Sequence, residues 1–197
     1  MKVQSLNFNI NFQKRLIARA AYKKDEVSEP CRIYELEREY DWDYFENPSM
    51  RAWRRANYLE DVKSEWLHPT YENEAFYVTE DNMGNCLAIA LVGEPKDTDY
   101  NTLAFIEVCP SNSKHNPYRK TKYIGETLLA TLCAKTQSDG KDFFSITCPT
   151  ISAYEFYSKN CKFEADSSLG LHMKKENFPS FYEQNEKHTG KNIELIV

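Results

Sequence analysis

The sequence predicts a mixed α/β (α+β) domain built around one central sheet. Apolar runs of strand length recur along the chain, stripes of helical spacing lie between them, and the second half reads strand, helix, strand, helix, strand. At 197 residues the chain has the size of a single domain, taken as residues 1–197. Apolar residues make up 41% and charged residues 28%, enough for a core and inconsistent with global disorder.

The elements follow in order. Residues 6–12 alternate apolar and polar with period two, which predicts a first strand rather than the core of a presequence. Residues 13–24 predict a short basic helix, ended by Glu29 and Pro30, and residues 31–36 a second strand. Residues 35–46 are acidic and aromatic and predict irregular chain, read as an ordinary solvated loop. Ala52, Ala56, Leu59, Val62 and Trp66 make the stripe of an amphipathic helix, in which Trp53 and Trp66 are core residues. Residues 74–80 and 86–93 predict a hairpin about Asp81, Asn82, Met83, Gly84 and Asn85, and residues 101–109 a further strand. A helix opening at Gly125 buries Leu128, Leu129, Leu132 and Cys133 and closes at residues 138–140. A strand over 142–148, a helix over 151–159 and a strand over 170–174 complete the core, with a polar tail over 177–197 attached loosely or by an edge strand.

Composition limits partners. Twenty-five basic against 30 acidic residues give a net charge of −5, which disfavours nucleic acid as a general partner. Apolar runs such as 86–92 are too short to span a membrane. Six cysteines (31, 86, 109, 133, 148, 161) form no Cys-x-x-Cys pair, so no metal site is expected. Most lie in apolar segments, predicting buried reduced thiols and a cytoplasmic location.

Chemistry concentrates in residues 103–163. The strand ends at Pro110, a loop carrying Lys114, His115, Arg119, Lys120 and Lys122 follows, and Gly125 opens the helix. Such a junction is an anion cradle, because free N–H groups and the positive helix end face the ligand. The predicted ligand is a phosphorylated cofactor. Neither GxxxxGK[ST] nor GxGxxG occurs, which argues against a P-loop NTPase and a dinucleotide fold.

The order Val108-Cys109-Pro110, then Lys120-Thr121-Lys122-Tyr123-Ile124-Gly125, then Ala153-Tyr154-Glu155-Phe156-Tyr157 with Phe163 beyond, resembles the GNAT N-acetyltransferase superfamily. That family commonly has Arg or Gln where Lys120 stands and glycine where Tyr123 stands, with a shorter loop between. The resemblance implies one GNAT-like domain whose mostly antiparallel twisted sheet, flanked by helices, is splayed at the strand ending near Val108. It implies an acyltransferase with acetyl-CoA as cosubstrate and no metal. Main-chain groups of Val108 and Cys109 would meet the pantetheine arm. Lys120, Lys122, Tyr123, Ile124, Gly125 and Glu126 would hold the diphosphate through their N–H groups, with the Glu126 side chain pointing outward. Lys114, Arg119 or Lys122 would reach the 3′-phosphate, and Thr150 joins the cofactor contacts.

Acetyl transfer to an amine needs a base for the amine and an acid for the departing thiolate. Tyr157 matches the family's general acid, its other reading being a core aromatic. Glu107 is the candidate base, since strand alternation puts a carboxylate on the face of Leu103, Phe105 and Cys109; its other reading is a partnered or edge-exposed glutamate. Cys109 lacks a recognisable His–acid pair and reads as a buried thiol. His68, His172 and His188 lack ligand spacing. The expected function is direct N-acetyl transfer to a primary amine in a ternary complex, by a monomer or homodimer. The alternative is a catalytically inactive module of the same fold that senses acyl-CoA or binds a protein. A third reading gives the 114–122 loop a nucleotide or nucleic acid. Polyamines, aminoglycosides, protein N-termini, lysines and charged tRNA all remain open as acceptors.

Overall fold

Strand β1 (Lys14–Lys24) and strand β2 (Val27–Leu36) form an antiparallel hairpin. Asp25 and Glu26 close it with φ of 49° and 66°, the left-handed pair of a two-residue hairpin turn. The computed structural model describes residues 14–36, 41–46, 50, 53, 73–109, 120–147, 149–165 and 170–196. The expected strand over 6–12, most of the helix over 52–66 and the loop over 110–119 lie outside them.

The basic helix expected over 13–24 is instead β1. Its alanines and lysines favour a helix locally, but the strand has hydrogen-bonded neighbours on both edges, β2 on one side and β10 and β6 on the other. Ile17, Ala18, Ala20, Ala21 and Tyr22 are all buried, so both faces are covered, which a single helical stripe does not achieve. Pro30 sits within β2, where β3 no longer pairs with it and a missing N–H is tolerated.

Strands β3 (Glu74–Asp81) and β4 (Cys86–Gly93) form the expected hairpin, with Asp81 Oδ1 accepting from the N–H groups of Met83 and Asn85. β5 (Tyr100–Val108) follows, then β6 (Thr121–Lys122), α2 (Ile124–Ser138) and β7 (Phe143–Ile146). A short helix α3 (Ile151–Glu155) runs into a π-helical turn at Phe156–Asn160. β8 (Glu164–Ala165), β9 (Leu171–Lys174), α4 (Phe178–Thr189) and β10 (Glu194–Leu195) complete the chain, and α1 (Asp41–Glu46) precedes β3. The strand order is β10-β1-β2-β3-β4-β5-β7-β9-β8, with β6 on β1. Every described pairing is antiparallel except β5 with β7.

Neighbouring residues of β3 show which helix covers which face. The Tyr77 ring lies beneath Lys135 of α2, whereas Phe76 packs edge-on against Phe45 of α1. The two helices therefore cover opposite faces. On the α1 face, Tyr44 donates to Glu80 at 2.9 Å, Lys14 reaches the same carboxylate at 2.5 Å, and Trp53 donates to the Cys86 carbonyl at 3.0 Å. The acidic stretch is thus neither plain loop nor wholly solvated, because Tyr44 and Phe45 are core.

Of the two readings of the tail, loose or attached by an edge strand, the second holds, and a helix that was not expected precedes that strand. α4 packs on α2 and β1, and β10 pairs with β1 at Ala18 and Arg19. Phe178, Phe181, Asn185 and Thr189 are its buried stripe. Asn185 donates to Thr127 Oγ1 at 3.0 Å, which in turn donates to the Ala21 carbonyl at 2.9 Å. Cys31, Cys86, Cys109, Cys133 and Cys161 are buried and free, and burial pushes the Cys31 thiol up to about 12. No described helix is long and apolar enough to cross a membrane.

Candidate active site

The sheet opens along β5. Its parallel pairing with β7 runs only from Tyr100–Phe143 to Leu103–Ile146, while β5 itself continues to Val108 with β4 as its partner. The last part of β5 is therefore splayed from β7. The Cys109 N–H, expected to face the ligand, donates to the Leu87 carbonyl at 2.8 Å. Antiparallel alternation then turns the main-chain groups of Ile106 and Val108 away from β4, toward the splay. Val108 keeps its expected place. Cys109 does not, and its side chain is buried.

Across the opening stands the start of α2. The first N–H to bond back within the helix belongs to Thr127, which reaches the Tyr123 carbonyl at 2.8 Å. Ile124, Gly125 and Glu126 thus present N–H groups with no acceptor within the helix, and no side chain among the described residues caps them. A Cβ on Gly125 would meet Val108 Cγ2 at 3.1 Å, so glycine here lets the helix approach β5 closely. Tyr123 has φ of 66°, a left-handed conformation that costs a non-glycine residue about 1–2 kcal/mol. That is the physical reason glycine suits this position, and the tyrosine ring is held by stacking on His188 with centroids 4.6 Å apart.

These parts enclose a cavity of about 510 Å³. It is lined by Ile106, Glu107 and Val108 of β5, residues 121–126, Phe156, Tyr157 and Asn160 of the π turn, and His188 of α4. Tyr157 packs between Phe156 and Phe163, with centroids 5.4 and 6.1 Å away. Burial first, then the charges of Cys161 and Glu107, hold its phenol well above the usual range, so it stays protonated. The π turn was not foreseen; such turns recur where a helix must aim a side chain at a site. Register pairs Glu107 with Ile89 and Ile89 with Val78, which places Glu107 on the α1 face. The structure thus brings Glu107, Val108, Tyr123, Gly125 and Tyr157 into one cavity.

Other expectations change. Glu126 does not point outward: its side chain is 5% exposed and accepts from His188 Nδ1 at 2.8 Å. His188 was missed because it sits on a helix that was not expected. The Lys120 and Lys122 ammonium groups turn to Asp25 and Glu26 in the β1–β2 turn, although Lys122 also lines the cavity. Thr150 does not line it; its hydroxyl is exposed and caps α3 by accepting from the Ala153 N–H at 3.3 Å. His172 approaches Glu164 on the β8–β9 edge. Lys114, His115, Arg119 and His68 lie outside the described residues.

A protein from Exiguobacterium sp. 255-15 assigned as an acetyltransferase is similar to this chain in structure. The match has a TM-score of 0.50 at 15% identity, over 76% of this chain and 97% of that one. The two share a fold. This chain also resembles a GNAT-family acetyltransferase from Staphylococcus aureus Mu50 (TM-score 0.46, 19% identity, 74% and 99% of the two chains). A spermidine/spermine N-acetyltransferase from Vibrio cholerae is similar at a TM-score of 0.46 and 13% identity, over 76% and 98% of the two chains. No protein-family model and no curated protein matches the sequence. At these identities the likeness is one of fold. The opening of β5, the start of α2 and the His188–Glu126 contact are read from this chain's own structure.

Proposed function

We propose that this protein is an N-acetyltransferase that moves an acetyl group from acetyl-CoA to a primary amine by direct attack. The observation that carries the reading is the cavity itself, which joins the splayed end of β5 to three N–H groups at the start of α2 with no acceptor among the described residues. The residues present fit the cosubstrate. Val108 offers main-chain groups to an amide-bearing arm, and the Ile124, Gly125 and Glu126 N–H groups suit a diphosphate.

Acetyl-CoA supplies the thioester electrophile. Glu107 attracts a cationic amine and takes its proton, directly or through water. The amine nitrogen then bonds to the acetyl carbon as the carbon–sulfur bond breaks, the Tyr157 phenol gives its proton to the departing sulfur, and the second amine proton leaves the nitrogen through water to restore the phenol. The Tyr157 phenol is protonated at neutral pH and so has a proton to give. A cytoplasmic location accords with the buried thiols, and no metal enters the scheme.

Calorimetric titration with acetyl-CoA, followed by a thiol-release assay across a panel of amines, tests the proposal. Saturable binding with amine-dependent thiol release supports it. Binding without release from any amine would assign an acyl-CoA-sensing module instead, and no binding would remove the cofactor reading.

A further inference from the structure

The cavity carries an electrostatic conflict at its phosphate end. Glu126 is the third residue of α2, and its buried side chain lines the cavity beside the N–H groups that have no acceptor within the helix. A carboxylate there suits the helix dipole but repels any anion arriving at the same amides. His188, in the last turn of α4, meets this carboxylate through Nδ1 at 2.8 Å. Its ring is fixed by the Tyr123 stack, and it lines the cavity with its side chain 36% exposed. Nε2, the opposite ring nitrogen, has no partner among the described residues.

We propose that His188 is a cofactor-binding residue: protonated, it cancels the charge of Glu126 and donates Nε2–H to the diphosphate, so that acetyl-CoA binding takes up a proton. The proposal rests on the cofactor reading above and deepens it. A neutral imidazole that donates Nδ1–H to Glu126 presents a lone pair at Nε2, which repels a phosphate oxygen. One proton from solvent converts Nε2 into a donor standing between two anions.

The charged and titratable groups around it are on record. Glu126 comes from α2, Tyr123 lies against the ring, and Lys122 from β6 lines the cavity while paired with Glu26. Glu107 from β5 and Tyr157 from the π turn also line it. Cys161 feels the charge of Glu126, but burial keeps its thiol neutral. Lys187 stands beside His188 on α4, and Lys23 of β1 approaches Gly190 just beyond. Glu126 is the one of these groups within ion-pair distance of His188 among the described residues. Imidazole is the side chain that changes charge between pH 5 and 8.

The test is calorimetric titration of acetyl-CoA at pH 6 and 8.5, in buffers of differing ionisation enthalpy. Inorganic pyrophosphate serves as a second probe. Wild-type protein is expected to take up a fraction of a proton, about half at most, and to bind about tenfold more weakly at the higher pH. His188→Gln should bind about tenfold more weakly at pH 6 and lose the pH dependence that exceeds the ligand's own titration. The double variant Glu126→Gln/His188→Gln should recover most of that affinity and remain insensitive to pH, a rescue that a purely packing role for His188 does not produce. Unchanged affinity in His188→Gln, or no proton uptake by wild type, overturns this inference while leaving the cofactor reading standing. Failure of both acetyl-CoA and pyrophosphate to bind at either pH overturns both.

Discussion

Replacing Tyr157 by phenylalanine separates chemistry from packing. The ring is buried, 7% exposed, between Phe156 and Phe163, and phenylalanine preserves those contacts. No hydrogen bond to the Tyr157 hydroxyl is found among the described residues, and the atom is not among the buried polar atoms lacking a partner, so the cavity is its outlet. Removing it should shift folding stability by less than about 1 kcal/mol. As the proton donor to the leaving thiolate it should matter far more: kcat is expected to fall by about 10²–10⁴, or roughly 3–5 kcal/mol of barrier. KM for acetyl-CoA should change by less than about threefold, because the phenol is assigned no ground-state contact. The pH profile adds a check on sign. The folded phenol is held above its unfolded value of about 10, so the protonated, active form persists through neutral pH. Loss of activity from Tyr157 ionisation should begin only above about pH 10. Steady-state thiol release measured alongside thermal unfolding decides the matter. A kcat within about threefold of wild type in a folded Tyr157→Phe variant would refute the assignment.

Other outcomes follow from the same geometry. Gly125→Trp should abolish acetyl-CoA binding by calorimetry, because even a Cβ at this position stands 3.1 Å from Val108 Cγ2 and the indole must enter the cavity. Lys14→Ala leaves the Glu80 carboxylate, 4% exposed, with Tyr44 as its remaining described partner. Since Lys14 is itself partly exposed, the expected loss is about 2 kcal/mol by urea denaturation, largely recovered in Lys14→Ala/Glu80→Leu. Cys31, Cys86, Cys109, Cys133 and Cys161 should react with a thiol reagent only as the protein unfolds, since all five are buried.

The parts of the fold legible in the sequence are those whose local pattern and tertiary role agree. The β3–β4 hairpin reads directly because 86–93 is buried throughout and Asp81 marks the turn. Helix α2 reads from Leu128, Leu129, Leu132 and Cys133, all buried. β1 was misread because its alanines and basic residues score as helix, whereas pairing on both edges decides its state. α4 was hidden because Asn185 and Thr189 stand in its buried stripe, where Thr127 Oγ1 accepts from the Asn185 amide nitrogen and the Asn185 main-chain carbonyl accepts from the Thr189 hydroxyl. The site divides the same way. Gly125 and Tyr157 are named by the order of motifs and both line the cavity, while His188 lies 62 residues from its partner Glu126 on an unforeseen element. A helix-start glutamate reads as a solvated dipole partner, and only its contact with α4 shows that it turns inward.

A crystal structure with acetyl-CoA bound addresses the central assignment most directly. The diphosphate oxygens should lie about 3 Å from the N–H groups of Ile124, Gly125 and Glu126, with the pantetheine arm beside the Val108 main chain and the sulfur within reach of the Tyr157 hydroxyl. Ligand density away from the β5–α2 opening, or an empty cavity at saturating acetyl-CoA, would contradict it.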